Sequence, residues 1–221
     1  MKRRVRVKKT RDVKTYANLW SAAQFHMRRA KDPGARTGYY LISGMVFTAF
    51  AVEAYFNHLG AQHFACWSAI ERPLSPVRKL RLLAEKLGFK IDEGKTPFQS
   101  VFRLLAFRDG IAHGKSDFLE SEEKEIVRDI DMDPPDEPLA TFWEQFCTVG
   151  NAERVHSDAE TVIRRLNEAS GGDDHDLFIA GFELRHESLV PETENTQHAV
   201  CVAGTTGQEG TCRRRADDTE G

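Results

Sequence analysis

The run Arg108-Asp109-Gly110-Ile111-Ala112-His113-Gly114 places a guanidinium, a carboxylate and an imidazole close together at the end of an otherwise apolar segment. These groups suit cleavage of RNA without a metal. A histidine that titrates near neutral pH takes the proton from a ribose 2′-hydroxyl or returns one to the leaving oxygen. A guanidinium binds the scissile phosphate through two parallel hydrogen bonds and stabilises the charge that grows on it. DNA has no 2′-hydroxyl and is inert to this route. A plainer reading of the same residues is a helix C-terminus, with His113 favoured by the helix dipole and Gly114 as the cap residue.

Spacing constrains how such a site is assembled. Asp109 and His113 are four apart, about 40° around an α-helix, so the carboxylate is placed to accept the imidazole N–H and hold its tautomer. Arg108 and His113 are five apart, about 140° around, and do not converge on one face of a straight helix. Either the helix loosens at Gly110, or two copies of the motif meet across a twofold axis. Glu53 and Asn57, four apart, share a face of an earlier apolar segment in which Glu53 is the one acid. A buried carboxylate needs a partner: Arg108 fits that role, the alternative being an exposed base at the edge of the fold.

The elements that must hold these residues are helical. Tyr16, Leu19, Ala23 and Met27 recur at helical spacing between Asp12 and about Ala30, and Lys31-Asp32-Pro33-Gly34 stops that helix. A long segment from Thr37 to Leu59 is apolar nearly all round and reads as the central helix, with Phe47, Phe50, Ala51, Ala54 and His58 on one stripe and Gly60 as its exit. Ser75-Pro76 is an N-cap followed by proline in the first turn, and Gly88 ends the helix they open. Thr96-Pro97 opens the helix that carries Arg108. The segment 117–138, with Asp133-Pro134-Pro135, reads as an exposed acidic connection. A last helix spans about Leu139–Ala169, with a break expected at Gly150-Asn151. No strands are evident. The expected fold is an all-α bundle of four to five helices over residues 12–170, with a basic flexible arm at 1–11 and a polar, mostly disordered tail at 171–221.

On these helices, in this order, Arg108 to Gly114 resembles the Arg-x4–6-His motif of HEPN domains. Phe98 to Phe107 and Phe50-Ala51-Val52-Glu53-Ala54-Tyr55-Phe56-Asn57 also resemble that family's central helices. The similarity is clearest over residues 37–115. The resemblance implies a HEPN-like helical bundle, commonly a homodimer, and a metal-independent endoribonuclease of a prokaryotic toxin–antitoxin or phage-defence system. Its catalytic pair would be Arg108 and His113, with Asp109 at the polar position after the arginine and Glu53 and Asn57 as supporting residues. RNA would be the substrate, and an antitoxin or a nucleotidyltransferase a partner. Asparagine is common in relatives where this chain has Asp109. Other HEPN domains are non-catalytic interaction or RNA-binding modules, which is the alternative function.

Composition narrows the classes further. The 221 residues are 40% hydrophobic and 29% charged, with a net charge of −3, so charge as a whole does not argue for a nucleic-acid binder. Its distribution is uneven. Lys2, Arg3, Arg4, Arg6, Lys8, Lys9 and Arg11 form a basic arm without an acid, which is either a steering element for a polyanion or a solvated terminus. The arm runs into Asp12-Val13-Lys14 rather than an apolar stretch, against a secretory signal. The uncharged stretch Thr37–Val52 has 16 residues, short for a bilayer span, and Glu53 closes it. Cys66, Cys147, Cys201 and Cys212 form no CxxC pair, consistent with free thiols in a cytoplasmic protein. There is no HExxH, no GxSxG and no phosphate loop. His58, His63 and Cys66 read as packed or surface residues rather than a zinc site, and no cofactor is expected.

Overall fold

The computed structural model describes residues 4–32, 37–123 and 138–189. Lys2, Arg3, Pro33, Gly34, the Asp133-Pro134-Pro135 stretch and the tail from Pro191, with Cys201 and Cys212, lie outside the described residues. The chain divides into two units. Residues 11–182 form a helical body, and the described residues 4–10 and 183–189 belong to the second unit.

The second unit is a correction to the strand-free expectation. β1 (Val5–Arg11) and β2 (Glu183–Leu189) form a two-stranded sheet with every residue exposed, and Lys9 Nζ lies 3.8 Å from Glu183 Oε1. The basic arm is therefore extended and paired along most of its length. The alternation Val5-Arg6-Val7-Lys8 is the period-two pattern of a strand, but with no buried face it carries little signal.

The helical body is built on α1 (Thr15–Arg29), α2 (Thr37–His63), α3 (Trp67–Ile70), α4 (Pro76–Leu87), α5 (Phe98–Ala112), α6 (Phe142–Phe146) and α7 (Val149–Ala169). Five of these are long, as the sequence suggests; α3 and α6 are single short turns. α1 starts later than Asp12 because the Asp12 and Lys14 N–H groups donate to Phe182 O and Ala180 O at 2.9 and 3.1 Å, which keeps that stretch extended. It buries Tyr16, Ala17, Trp20 and Ala23, one helical stripe, and carries His26, Arg28 and Arg29 in its last turn, where cations oppose the dipole.

α2 is the hub, packing against α1, α3, α4, α5 and α7. Its buried residues include Met45, Ala49, Val52, Tyr55, Phe56 and Leu59, spread around the helix as the all-round apolar composition requires. Phe50, expected on the inward stripe, is 39% exposed. Gly60 does not end the helix either. A Cβ there would stand 2.1 Å from the Trp67 ring, so this glycine admits α3 against the side of α2, which continues to His63. At 27 residues α2 is long and apolar enough to cross a membrane, but half of its most apolar window is buried inside the body. Each large side chain buried here, such as Phe56 or Leu59, contributes about 1.5–3 kcal/mol of transfer free energy.

Local capping follows the sequence closely at α4. Ser75 Oγ accepts from Arg78 N at 3.4 Å, Pro76 opens the helix, and Gly88 closes it in the left-handed region at φ 77°. The break before α7 falls at Cys147-Thr148 instead of Gly150-Asn151. Thr141 and Glu144 form a reciprocal capping box on α6, and Thr148 Oγ1 accepts from Asn151 N at 3.2 Å to start α7. Beyond α7, Leu177 is buried and Phe178 stacks on Trp20 with ring centroids 4.8 Å apart. Part of the stretch expected to be tail thus belongs to the core. Tyr55 Oη donates to Asn167 Oδ1 at 3.1 Å, and Asn167 Nδ2 donates to Asp174 Oδ1 at 3.0 Å, which fastens the turn leading back to it.

Candidate functional site at the end of α5

Three helices meet beneath Arg108. Glu53 comes from the middle of α2, Lys79 from the first turns of α4 and Arg108 from the last turns of α5. The Arg108 Nη2 group donates to Glu53 Oε2, and Lys79 Nζ donates to Glu53 Oε1 at 2.9 Å. One carboxylate therefore joins two cations. All three side chains are largely out of water, with Lys79 at 4%, Arg108 at 15% and Glu53 at 22% exposure. The pairing of Glu53 with Arg108 is the one favoured on the sequence. Lys79 was not foreseen. It falls beside Leu80 and four residues before Leu83 on the buried stripe of α4, and a lysine on an apolar stripe is the signal that pointed to it.

The remaining bonds of Arg108 fix its direction. Nη1 donates to Asp109 Oδ1 at 2.7 Å, and the guanidinium carbon sits 5.5 Å from the centre of the Phe50 ring. Both ends of the fork are thus taken by carboxylates, while Nε is buried with no hydrogen-bond partner among the described residues. Asn57 Oδ1 is buried and unpartnered in the same sense, and no hydrogen bond joins Asn57 to Glu53 or Arg108. Its place one turn beyond Glu53 is as expected; its engagement is not.

His113 caps α5 with φ −112° and ψ 12°, so the helix stops at the histidine rather than loosening at Gly110. The His113 N–H donates to Asp109 O at 3.0 Å. The Asp109 carboxylate, expected to orient the imidazole, instead receives Arg108. The physical reason is the partner's charge and geometry: the adjacent guanidinium is permanently charged and offers a fixed fork of donors to this carboxylate. His113 is exposed, and among the described residues no hydrogen bond joins its side chain to Arg108. Gly110 has a packing role. A Cβ there would meet the Phe142 ring at 2.4 Å, so the glycine lets α6 lie against the end of α5.

The arrangement holds one guanidinium, mostly out of water and backed by a carboxylate from another helix, with an exposed histidine five residues further along the chain. A guanidinium pairs with anions in general, and in this arrangement both terminal nitrogens of Arg108 are held by carboxylates. Among the described residues no three histidine, cysteine, aspartate or glutamate side chains are gathered in a way that would hold a metal ion. Cys66 is exposed; Cys147, half-buried, has its thiol pushed up to about 11 by burial, which leaves it protonated and unreactive at neutral pH. His58 packs against Tyr16 at 5.1 Å and bonds Gln62 at 3.0 Å, a packed residue rather than a ligand.

What the fold and site define is a mostly helical bundle with a three-helix ion-pair junction at the surface end of α5. No family model matches the chain, and no curated protein or solved structure matches it.

Proposed function

We propose that the protein is a metal-independent endoribonuclease of the HEPN type, acting in the cytoplasm in a prokaryotic toxin–antitoxin or phage-defence role, with RNA as substrate and an antitoxin or nucleotidyltransferase as a partner. The observation that carries the reading is the anchoring of Arg108. A carboxylate from α2, itself held by Lys79, sets one edge of the guanidinium, five residues before an exposed histidine. In this reading Arg108 binds the scissile phosphate after releasing Asp109, which is 51% exposed and free to swing away. His113 moves the proton of the 2′-hydroxyl. Glu53 positions Arg108.

The working form is a homodimer. Arg108 and His113 make no contact within one chain, and the exposed rings of Phe50 and Phe142, 39% and 62% exposed, flank the end of α5. A twofold axis there covers both rings and brings the arginine of one copy toward the histidine of the other. Mixing the Arg108→Ala and His113→Ala proteins tests this: restored cleavage in the mixture is the expected result for a site shared between subunits.

A second reading has its own support. An arginine with carboxylates on both of its terminal nitrogens also serves as a structural latch, and the protein would then be a non-catalytic helical interaction or RNA-binding module. The deciding experiment is RNA cleavage by the purified protein and its variants. The endoribonuclease reading expects His113→Ala to fold normally and to lose ~10²-fold or more in cleavage. It also expects activity that survives EDTA, 5′ fragments ending in a 2′,3′-cyclic phosphate, and resistance of substrates with a 2′-deoxy group at the cut. Full activity in the His113→Ala protein, or no cleavage by the wild type, transfers the weight to the module.

A further inference from the structure

Away from α5, a cavity of ~220 Å³ opens between the end of α1, the start of α2 and the first half of α7. Its walls are apolar: Met27 and Ala30 from α1 and its cap, Leu41 from α2, and Val149 and Ala152 from α7. One polar ring, His156, enters this wall. It is stacked on Trp20, with centroids 4.2 Å apart and planes 18° apart, and nothing in the proposed ribonuclease site uses it.

The hydrogen bonds of His156 decide what it offers. Thr48 Oγ1, fully buried, lies 2.8 Å from Gly44 O and 2.9 Å from His156 Nδ1. A hydroxyl has one hydrogen. The carbonyl can only accept, so the Thr48 hydrogen goes to Gly44 O and the proton between Thr48 and His156 belongs to Nδ1. The imidazole is then held as the Nδ1–H tautomer, and its Nε2 is a lone-pair acceptor with no hydrogen bond to any described residue. Burial also lowers the pKa of His156, against a smaller opposing effect of Glu160, which favours this neutral form. Thr48 matters here only because it locks the ring.

The rim is charged but balanced. Lys31 and Glu153 pair at 2.5 Å, Glu160 is bonded to Arg164 at 2.8 Å, and Arg28 is exposed at the mouth. Neither sign dominates. For scale, an apolar cavity of about 150 Å³ holds benzene, so this one holds a ring with a substituent or two.

We propose that this cavity is a binding site for a small, uncharged, largely apolar molecule, a phenol or a branched alcohol, whose single hydroxyl donates to His156 Nε2. The hydrocarbon part fills the space between Met27, Leu41 and Ala152, and the hydroxyl satisfies the ring nitrogen that no described residue bonds, while Ser157, Glu153 and Glu160 supply other polar groups of the lining. The site stands or falls separately from the reading of Arg108 and His113.

The test uses the full chain with p-cresol and toluene as matched probes, followed by NMR of the imidazole nitrogens and by thermal shift. The expected result is saturable p-cresol binding in the millimolar range or tighter that moves the His156 Nε2 resonance, with toluene roughly threefold to tenfold weaker for want of the hydrogen bond. Val149→Trp, a substitution at an exposed rim position, is expected to block both probes while leaving the fold intact; if it fails to fold, Glu153→Trp at the same rim replaces it. Equal affinity for the two probes, no saturable response at His156, or undiminished binding in the rim variant overturns the proposal.

Discussion

Thr48 and Glu53 lie five residues apart on α2, and both turn polar atoms toward the inside of the body, yet they are satisfied in opposite ways. Glu53 meets formal charges from two other helices. Thr48 returns its hydrogen to its own helix at Gly44 O and holds a neutral imidazole from α7. The first arrangement ties three helices through ions whose separation from water is costly unless the set is complete. The second asks for no charge at all. A charged junction is fragile to the loss of the anion its cations share, whereas a neutral pair loses about one hydrogen bond.

Removing the anion at the junction has the largest expected effect. Glu53→Ala leaves the buried Lys79 without its counter-charge and Arg108 with Asp109 alone, and a loss of about 3 kcal/mol or more in unfolding free energy is expected from urea titration. A loss under about 1 kcal/mol would show the junction to be solvated and would erase the contrast with Thr48. Thr48→Val comes next. It keeps the shape but strands His156 Nδ1, at a cost of about 1–3 kcal/mol by the same titration. In the proposed ribonuclease, Asp109→Asn removes the anion that would compete with phosphate for Arg108 while keeping a polar side chain. RNA binding measured by filter retention is expected to tighten several-fold; weaker binding would mean that Asp109 supports the site rather than guards it.

Acidity acts on the buried histidines. His156 and His58 both have pKa values lowered by burial, so the unfolded chain takes up protons that the folded one refuses. The stability they allow is fully present above the unfolded histidine value of about 6.5 and falls as pH drops below it. His156→Gln, which preserves a partner for Thr48, is expected to flatten the decline of Tm between neutral pH and mildly acidic pH. An unchanged slope would place the acid sensitivity elsewhere. The smallest effect is expected for Lys79→Met. It takes away one buried cation, keeps the stem's volume and leaves Glu53 with Arg108, so stability should change by less than about 1.5 kcal/mol.

These outcomes bear on residues that the sequence revealed unequally. The caps of α4 were legible because Ser75, Pro76 and Gly88 act through their own backbone and need no partner from afar. The Glu53–Arg108 pairing was legible because one acid in an apolar stretch must find a cation, and few cations were near the end of another buried helix. Lys79 and His156 each sit on an apolar stripe, beside Leu80 and between Ala152 and Ala159, where a polar residue is easily taken as the edge of the stripe. The reach of Asp109 to Arg108 depends on rotamers and on the competition between two donors, which spacing alone does not rank. The β1–β2 ribbon and the docking of Leu177 and Phe178 rest on pairings between the two ends of the chain, which a local reading of either end does not reveal.

The sandwich around Trp20 has an optical consequence. Its indole is flanked by His156 on one face and Phe178 on the other. An imidazolium quenches indole emission where a neutral imidazole does so far less, and undocking of Phe178 would wet the indole and shift its emission to the red. With Trp67 and Trp143 replaced by phenylalanine, Trp20 is therefore a built-in fluorophore that reports the charge of His156 as brightness and the seating of the returning segment as colour.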